Sequence, residues 1–352
     1  MKKLIIIQTA VPDYRKNFFQ LLSQKLADKF ALYAGDNYFE SSVKTDAEIP
    51  HQKLKNHYLF KRKFLFQTGL WHLLFSDDIL VMEMNPRIIN HWIFLLLRKI
   101  TGKKSVLWGH AWPRKGKESF SDKLRHWMRL LADEIIVYTR QQQQELQAKM
   151  PGKTIKSAPN ALYSKEMMQA VLSPDIQDLI YVGRLSPLKK VLFLVEAFHF
   201  SLDKIPESAT LIVVGEGEQA QAVKAYVESR NLQNRIRLLG QIFDYEVLKK
   251  LYAEALFSVS PGYIGLSVTQ SLGFGVPMLV SRNENHSPEI EAVVEGENAL
   301  FFETDDKNDF ADKLKEIYAG KENWIAKREE ISLICKKNYS VEAMAKPFLE
   351  LI

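Results

Sequence analysis

Short apolar runs alternate along the chain with longer stretches in which apolar residues recur every three or four positions. The short runs read as buried strands and the three-four spacing as helices with one face on a core. In the first half the predicted strands are Leu4–Gln8, Ala31–Ala34, Ile79–Met82, Ser105–Trp108 and Glu134–Tyr138. The predicted helices between them are Lys16–Leu26, His91–Thr101, Asp122–Leu131 and Arg140–Lys149. In the second half strands are predicted at Leu179–Val182, Thr210–Val214, Ile236–Leu239, Phe257–Ser260, Met278–Ser281 and Ala299–Phe302. Helices are predicted there at Val191–Leu202, Glu218–Arg230, Tyr245–Ala253, Val268–Gly273 and Asp309–Ala319.

Strands alternating with helices predict an α/β fold with parallel sheets and crossover helices. A chain of 352 residues exceeds what one core usually serves. Two Rossmann-like domains are therefore expected, over residues 1–163 and 178–335. Asn160 to Asp178 carries no clean period and includes Ser173-Pro174, which places a linker at 164–177. The segment 336–352 contains a helical pattern, Ser340–Leu351, expected to cross back to the first domain. Doubly wound domains bind ligands outside the carboxyl ends of their strands, so a cleft between the two sets of strand ends is the expected site.

Composition is ordinary for a globular chain, with 46% hydrophobic and 26% charged residues. The net charge of +6 conceals an asymmetry. Residues 1–163 hold 27 Lys and Arg against 14 Asp and Glu, and residues 164–352 hold 21 against 28. Halves of opposite sign point to different partners, and a basic half suits an anionic membrane or nucleic acid. No nucleic-acid motif accompanies the basic residues, so nucleic acid is not expected. The single cysteine, Cys335, permits no internal disulfide and fits a reducing compartment. Met1-Lys2-Lys3 before Leu4-Ile5-Ile6-Ile7 looks like a miniature leader, but Gln8 ends the apolar run and a first strand is the better reading. The longest later runs, such as Trp92 to Leu97, fall far short of the roughly 20 residues that span a bilayer. A cytoplasmic protein, with possible attachment to the inner membrane face, is expected.

Three stretches of the second half carry chemistry. Tyr181-Val182-Gly183-Arg184-Leu185-Ser186-Pro187-Leu188-Lys189-Lys190 ends a strand and places two cations, Arg184 and Lys189, on the following loop. Such a pair can hold a pyrophosphate, arginine as a fork and lysine as a point charge. Val214-Gly215-Glu216-Gly217 is a shortened glycine turn after a strand. Ser260-Pro261-Gly262-Tyr263-Ile264-Gly265-Leu266-Ser267 leads a strand through a glycine-bearing loop into a helix start, where free amides attract phosphate.

The order and spacing of these pieces resemble the retaining GT-B glycosyltransferases of family 4. The resemblance runs through Leu239-Gly240, Gly265-Leu266 and Gly275-Val276-Pro277 to Pro288-Glu289 and Gly296-Glu297-Asn298. It covers nearly all of the second half. It implies a nucleoside-diphosphate sugar donor, transfer with retention, and no metal or other cofactor. Carried onto this chain, Arg184 and Lys189 are the implied diphosphate pair, with Gly183 and Gly215 in the turns around them. Gly265 and Leu266 are the implied phosphate-binding backbone. Gln241 or Ile242, just after Gly240, falls where the base is held. The family's two glutamates are replaced here by Gly262 and Gln270, which weakens any guess about the sugar. Gln270 is expected to keep a hydrogen bond to the ribose. Pro-Gly-x-x-Gly-Leu with His286-Ser287-Pro288-Glu289 downstream resembles a subgroup of the family.

The first half is less specific. Pro12-Asp13-Tyr14-Arg15 follows the first strand, and Arg15 reads equally as a phosphate contact or as a surface residue at a helix start. His110 follows the strand ending at Trp108 and is expected at the site, hydrogen-bonding a sugar hydroxyl. Glu83 and Asn85-Pro86-Arg87 lie at another strand end. His57 to Phe66 mixes aromatics with Lys61-Arg62-Lys63, and Leu70 to Phe75 follows. That mixture suits a membrane interface or a core helix with a charged flank. A glycan or polyprenyl- or other lipid-linked acceptor, in cell-surface polysaccharide assembly, fits the former. Competing readings are another enzyme of this architecture, such as a sugar-nucleotide epimerase, and a binding module without catalysis.

Overall fold

A computed structural model describes residues 2–41, 43–113, 116–117 and 119–352. Met1, where the leader reading began, lies outside them. The chain divides into two compact units, Met1–Leu162 with Val341–Ile352, and Tyr163–Ser340.

The first unit contains β1 (Leu4–Gln8), α1 (Lys16–Leu26), β2 (Phe30–Ala34), β3 (Gln52–Lys53), β4 (Lys55–Leu59), β5 (Phe64–Thr68) and β6 (Ile79–Glu83). It continues with α2 (Ile89–Ile100), β7 (Ser105–Trp108), α3 (Phe120–Leu131), β8 (Glu134–Val137), α4 (Arg140–Lys149) and β9 (Thr154–Ser157). Among the described residues its main sheet is parallel, in the order β3-β2-β1-β6-β7-β8-β9. The strands β1, β6 and β7 are apolar on both faces because helices cover both. Successive strands step one way from β1 to β3 and the other way from β6 to β9. The switch point therefore lies between β1 and β6.

The second unit contains β10 (Asp178–Val182), α5 (Val191–Phe200), β11 (Leu211–Val214), α6 (Ala220–Ser229), β12 (Ile236–Leu238), α7 (Tyr245–Glu254) and β13 (Ala255–Ser260). It closes with α8 (Ser267–Gly273), β14 (Met278–Ser281), β15 (Ala299–Phe302), α9 (Lys307–Ala319), α10 (Lys321–Ala326) and α11 (Arg328–Tyr339). Its parallel sheet is ordered β12-β11-β10-β13-β14-β15, with the switch between β10 and β13. Local signals agree with these elements. Asp244 caps α7 by accepting from the Val247 amide at 2.9 Å, and Asp306 caps α9 through the amides of Asn308 and Asp309.

The segment 164–177, read as a linker, is packed against the second unit. Met168 and Val171 are buried, the Val171 amide donates to Phe274 O at 3.1 Å, and Arg328 donates to Val171 O at 2.7 Å. The crossing element is α12 (Val341–Leu349), which belongs to the first unit. Phe348 stacks edge-on against Phe18 of α1 and Trp108 of β7, with ring centroids at 5.2 and 4.9 Å.

One expectation is overturned. His57 to Phe66 is not the core helix that one of the two readings expected. It is the β4–β5 antiparallel hairpin, turned by Phe60, Lys61 and Arg62, all with positive φ. Arg62 anchors that costly turn by donating to Phe39 O and Asn37 Oδ1 and by lying 3.7 Å from the Tyr58 ring centroid. Arg87, expected at the site, is also used here: it donates to the carbonyls of Lys63 and Arg62 and covers Phe39.

Phe348→Ala should remove about 3–5 kcal/mol from the first unit through cavity formation. Limited proteolysis should then cut first within residues 2–162, while 163–340 keeps its resistance. Equal loss of resistance in both units would contradict the separate cores.

Candidate active site

The second unit brings most of the expected residues together at the carboxyl ends of β10, β11 and β13, beside the switch point. The turns after β10 and β11 continue the strand ladder: Gly183 N donates to Val214 O at 3.0 Å and Leu185 N to Glu216 O at 2.9 Å. Gly215, at φ +149°, lets these turns touch. A Cβ there would lie 1.9 Å from Gly183 O, so no side chain fits.

Lys189 and Lys190 are adjacent in sequence and have different fates. Lys190 takes a left-handed conformation, and its ammonium pairs with Glu284 at 2.7 Å and Asp305 at 2.8 Å. Lys189 is half-buried and lies 5.1 Å from the Tyr263 ring centroid. Burial draws its amine down to about 8, opposed by Glu289 and reinforced by the charge of Arg184. Arg184 itself is exposed. Two neighbouring cations, one of them poorly solvated, form a site that an anion would relieve.

Gly262 and Gly265 do different work. A Cβ on Gly262 would lie 2.4 Å from Leu188 O, and the Tyr263 amide donates to that same carbonyl at 2.9 Å. The missing side chain thus presses the β13–α8 loop onto the loop that carries Lys189. A Cβ on Gly265 would meet, beyond its chain neighbours and among the described residues, only Lys189 Nζ, at 3.8 Å. Its missing side chain leaves open space facing an ammonium. Leu266 precedes the first turn of α8 and is half-buried.

Gln270 departs from expectation. It is buried in the second unit, with Nε2 donating to Tyr163 OH at 2.7 Å and Oε1 accepting from Tyr252 OH at 3.3 Å. Its amide braces the core where a ribose contact was expected. Gln241 and Ile242 follow Gly240 at the end of β12, the first exposed and the second half-buried. The next residue, Phe243, is 77% exposed and was missed, because one aromatic in a polar loop carries no signal in the sequence.

In the first unit a second group gathers at the ends of β1, β6, β7 and β8. Glu83 accepts from the Thr9 amide and, at 3.0 Å, from the Thr9 hydroxyl. Burial pushes its carboxyl up, while Thr9 and Arg15 hold it down. Arg15 is 7% exposed, so the surface reading fails. Its guanidinium lies 4.4 Å from the Trp108 ring centroid and donates to Tyr138 OH at 3.3 Å and Asn160 Oδ1 at 3.4 Å. His110 is exposed, its ring set edge-on to Tyr138 at 4.7 Å. His91, buried behind them, donates from Nδ1 to Glu83 O and is lowered to about 4 by burial. Among the described residues no group of three or more His, Cys, Asp and Glu is arranged to hold a metal ion, and no helix is long and apolar enough to cross a membrane.

Two doubly wound parallel units, with cations and glycine turns at the switch point of the second, have the GT-B α/β fold. Residues 176–320 match the family model described as glycosyl transferases group 1. An uncharacterized glycosyltransferase of Methanocaldococcus jannaschii is 26% identical over 312 residues, covering 79% of this chain and 74% of that protein. Among solved structures, Anabaena Alr3699/HepE in complex with UDP matches with a TM-score of 0.69 at 16% identity, over 100% of this chain and 99% of that one. Sucrose-phosphate synthase from Thermosynechococcus elongatus matches with a TM-score of 0.65 at 18% identity, over 99% and 98%. The chain is an enzyme of the glycosyltransferase class.

Gly262→Ala should lower stability by about 1–3 kcal/mol, because the β13–α8 loop must back away from Leu188. Gly262→Glu, which restores the acid common in the resembled family, should destabilise further and reduce activity. An unchanged melting temperature for Gly262→Ala would show that the loop contact yields freely.

Proposed function

We propose that this enzyme is a retaining, family 4-type glycosyltransferase of the Pro-Gly-x-x-Gly-Leu subgroup, which moves a sugar from a UDP-sugar to a hydroxyl of a glycan or lipid-linked glycan. The observation that carries this reading is the Lys189 ammonium over the open space at Gly265, with Arg184 beside it. Support for the nucleotide comes from HepE, whose structures hold UDP, UDP with glucose, and UDP-glucose. Support for a glycan acceptor comes from Staphylococcus aureus TarM, whose structure holds UDP with fondaparinux and α-GlcNAc-glycerol.

In this mechanism the diphosphate lies between Lys189, Arg184 and the amides at Gly265 and Leu266. As the anomeric C–O bond stretches, negative charge grows on the leaving phosphate. The cations and amides stabilise that charge more in the transition state than in the bound donor. The acceptor hydroxyl attacks from the face the phosphate leaves and passes its proton to a phosphate oxygen. Gln241 and Ile242 hold the base, and Phe243 supplies an exposed ring beside it. His110 hydrogen-bonds a sugar hydroxyl. The scheme calls on no resident cofactor.

Cell-surface polysaccharide assembly at the inner membrane face completes the proposal, and α3 supports it. This helix carries apolar residues on its outer face: Asp122 and Arg129 are buried as an ion pair beside the core residue Met128, while Phe120 at 75% and Trp127 at 64% exposure face outward with Leu124 and Leu130. Lys123 lies on the same exposed side, in the basic unit. An apolar stripe flanked by cations fits an anionic bilayer surface.

UDP at 100 times its dissociation constant should stabilise the protein by about 2.7 kcal/mol in thermal unfolding, with GDP, dTDP, CDP and ADP giving less. No shift with any nucleoside diphosphate would remove the proposal. Lys189→Ala should lower kcat by about 10²-fold or more at saturating donor. The diphosphate needs the protonated amine, so donor affinity should hold below the lysine's value near 8 and fall about tenfold per pH unit above it. A flat profile to pH 10 would take Lys189 out of the site. Trp127→Glu with Leu124→Glu should abolish co-sedimentation with phosphatidylglycerol vesicles and leave transfer to a water-soluble acceptor intact.

A further inference from the structure

We infer that His286 is a positioning residue for the donor site: as a neutral imidazole protonated on Nε2, it ties the β13–α8 loop to the end of β14 and so aims the Gly265 amide. The inference rests on the proposed diphosphate site.

Both ring nitrogens are committed to backbone. Nδ1 accepts from the Ile264 amide at 3.3 Å, and Nε2 donates to Ser281 O at 2.9 Å. Only one tautomer satisfies both bonds, because the first needs a lone pair and the second a proton. The Ile264 carbonyl is held as well, accepting from the Ser287 amide at 3.3 Å. The Ile264 side chain is fully buried, so the residue is fixed at its side chain and at both backbone polar groups.

Ile264 directly precedes Gly265. In a planar trans peptide the carbonyl of one residue and the amide of the next point in opposite directions. With the Ile264 carbonyl turned to Ser287, the Gly265 N–H is turned the other way. The His286–Ser287 turn therefore sets the direction of an amide that the proposed mechanism uses on phosphate.

The same strand end also registers the lysine. Ser281 Oγ hydrogen-bonds Glu284 at 3.3 Å and Thr304 at 2.8 Å, and Glu284 pairs with Lys190, the neighbour of Lys189. The turn after β14 is thus one frame that holds the cation-bearing loop through Glu284 and the amide-bearing loop through His286.

Protonation breaks half of the frame. A proton on Nδ1 would face the Ile264 N–H, donor against donor. Burial favours the neutral ring and lowers its pKa. The Ser281 carbonyl and Glu284, on the ring's own turn, act the other way, while Lys189, on the loop after β10, lowers it further. The buried Glu289 follows two positions after Ser287, and it accepts from the Ser287 hydroxyl. The clamp is therefore intact above the ordinary histidine value and is lost as pH falls through the lowered one.

The test is calorimetric titration of the full-length protein with UDP from pH 5 to 7.5, with donor KM and kcat measured alongside. His286→Ala should weaken UDP binding and raise donor KM by about tenfold, with a smaller fall in kcat. His286→Gln, whose amide again offers one donor and one acceptor, should recover most of the affinity. It should also lose the acid weakening that the wild type shows beyond UDP's own titration, which is common to both proteins. If wild type binds UDP and His286→Gln follows the wild-type pH profile, the clamp is refuted while the donor site stands. If His286→Ala binds UDP as wild type does, the clamp is likewise refuted. If wild type binds no nucleoside diphosphate, the donor-site reading fails and takes this inference with it.

Discussion

Backbone pressed directly on backbone is the constraint on which the second unit depends. Gly215 lies against the carbonyl of Gly183, Gly217 against that of Leu185, and Gly262 against that of Leu188. Each contact is closer than any side chain permits, so three separate loops are drawn into one ledge at the carboxyl ends of the strands. The ledge brings Lys189 over Gly265. Without Gly262 the β13–α8 loop would stand off, and the ammonium would face water, where it would neither lose its hydration nor hold its present place.

Charge is distributed on the same logic. Arg98 and Arg328 are buried and donate to main-chain carbonyls, Arg98 to those of Leu73, Leu74 and Asp78 and Arg328 to those of Val171 and Ala255. They act as staples. Lys190 is neutralised by two carboxylates. Lys189 lies over an aromatic ring beside another cation, and Arg15 of the first unit lies over Trp108 with neutral hydroxyl and amide partners. Neither has a carboxylate within ion-pair distance among the described residues. Both flank switch points of their sheets, where doubly wound folds take ligands.

Much of this was legible from periodicity. Lys16–Leu26, Arg140–Lys149, Met278–Ser281 and Ala299–Phe302 fall where the pattern put them, because each buries one face or both on a local core. The β4–β5 hairpin was not legible. Its turn uses Phe60-Lys61-Arg62 in left-handed conformations without a glycine, held by contacts to Asn37, Tyr38 and Phe39 from a distant loop. The loops of the donor side were legible as loops with cations and glycines. Which lysine faces the open space was not, because Glu284 and Asp305, which claim Lys190, lie about a hundred residues downstream. Gln270 misled for the same reason, since its partner Tyr163 is far away in sequence.

The return of α12 to the first unit has a consequence for biosynthesis. Residues 163–340 are continuous, so the second unit can close its core as soon as that stretch has left the ribosome. The first unit lacks Val341, Met344 and Phe348 from its core until residues 341–352 emerge. The half made first must therefore finish last, reversing the usual order of domain completion during synthesis. Throughout elongation its β7 and α1 surfaces, with Trp108 and Phe18, stay open to chaperones.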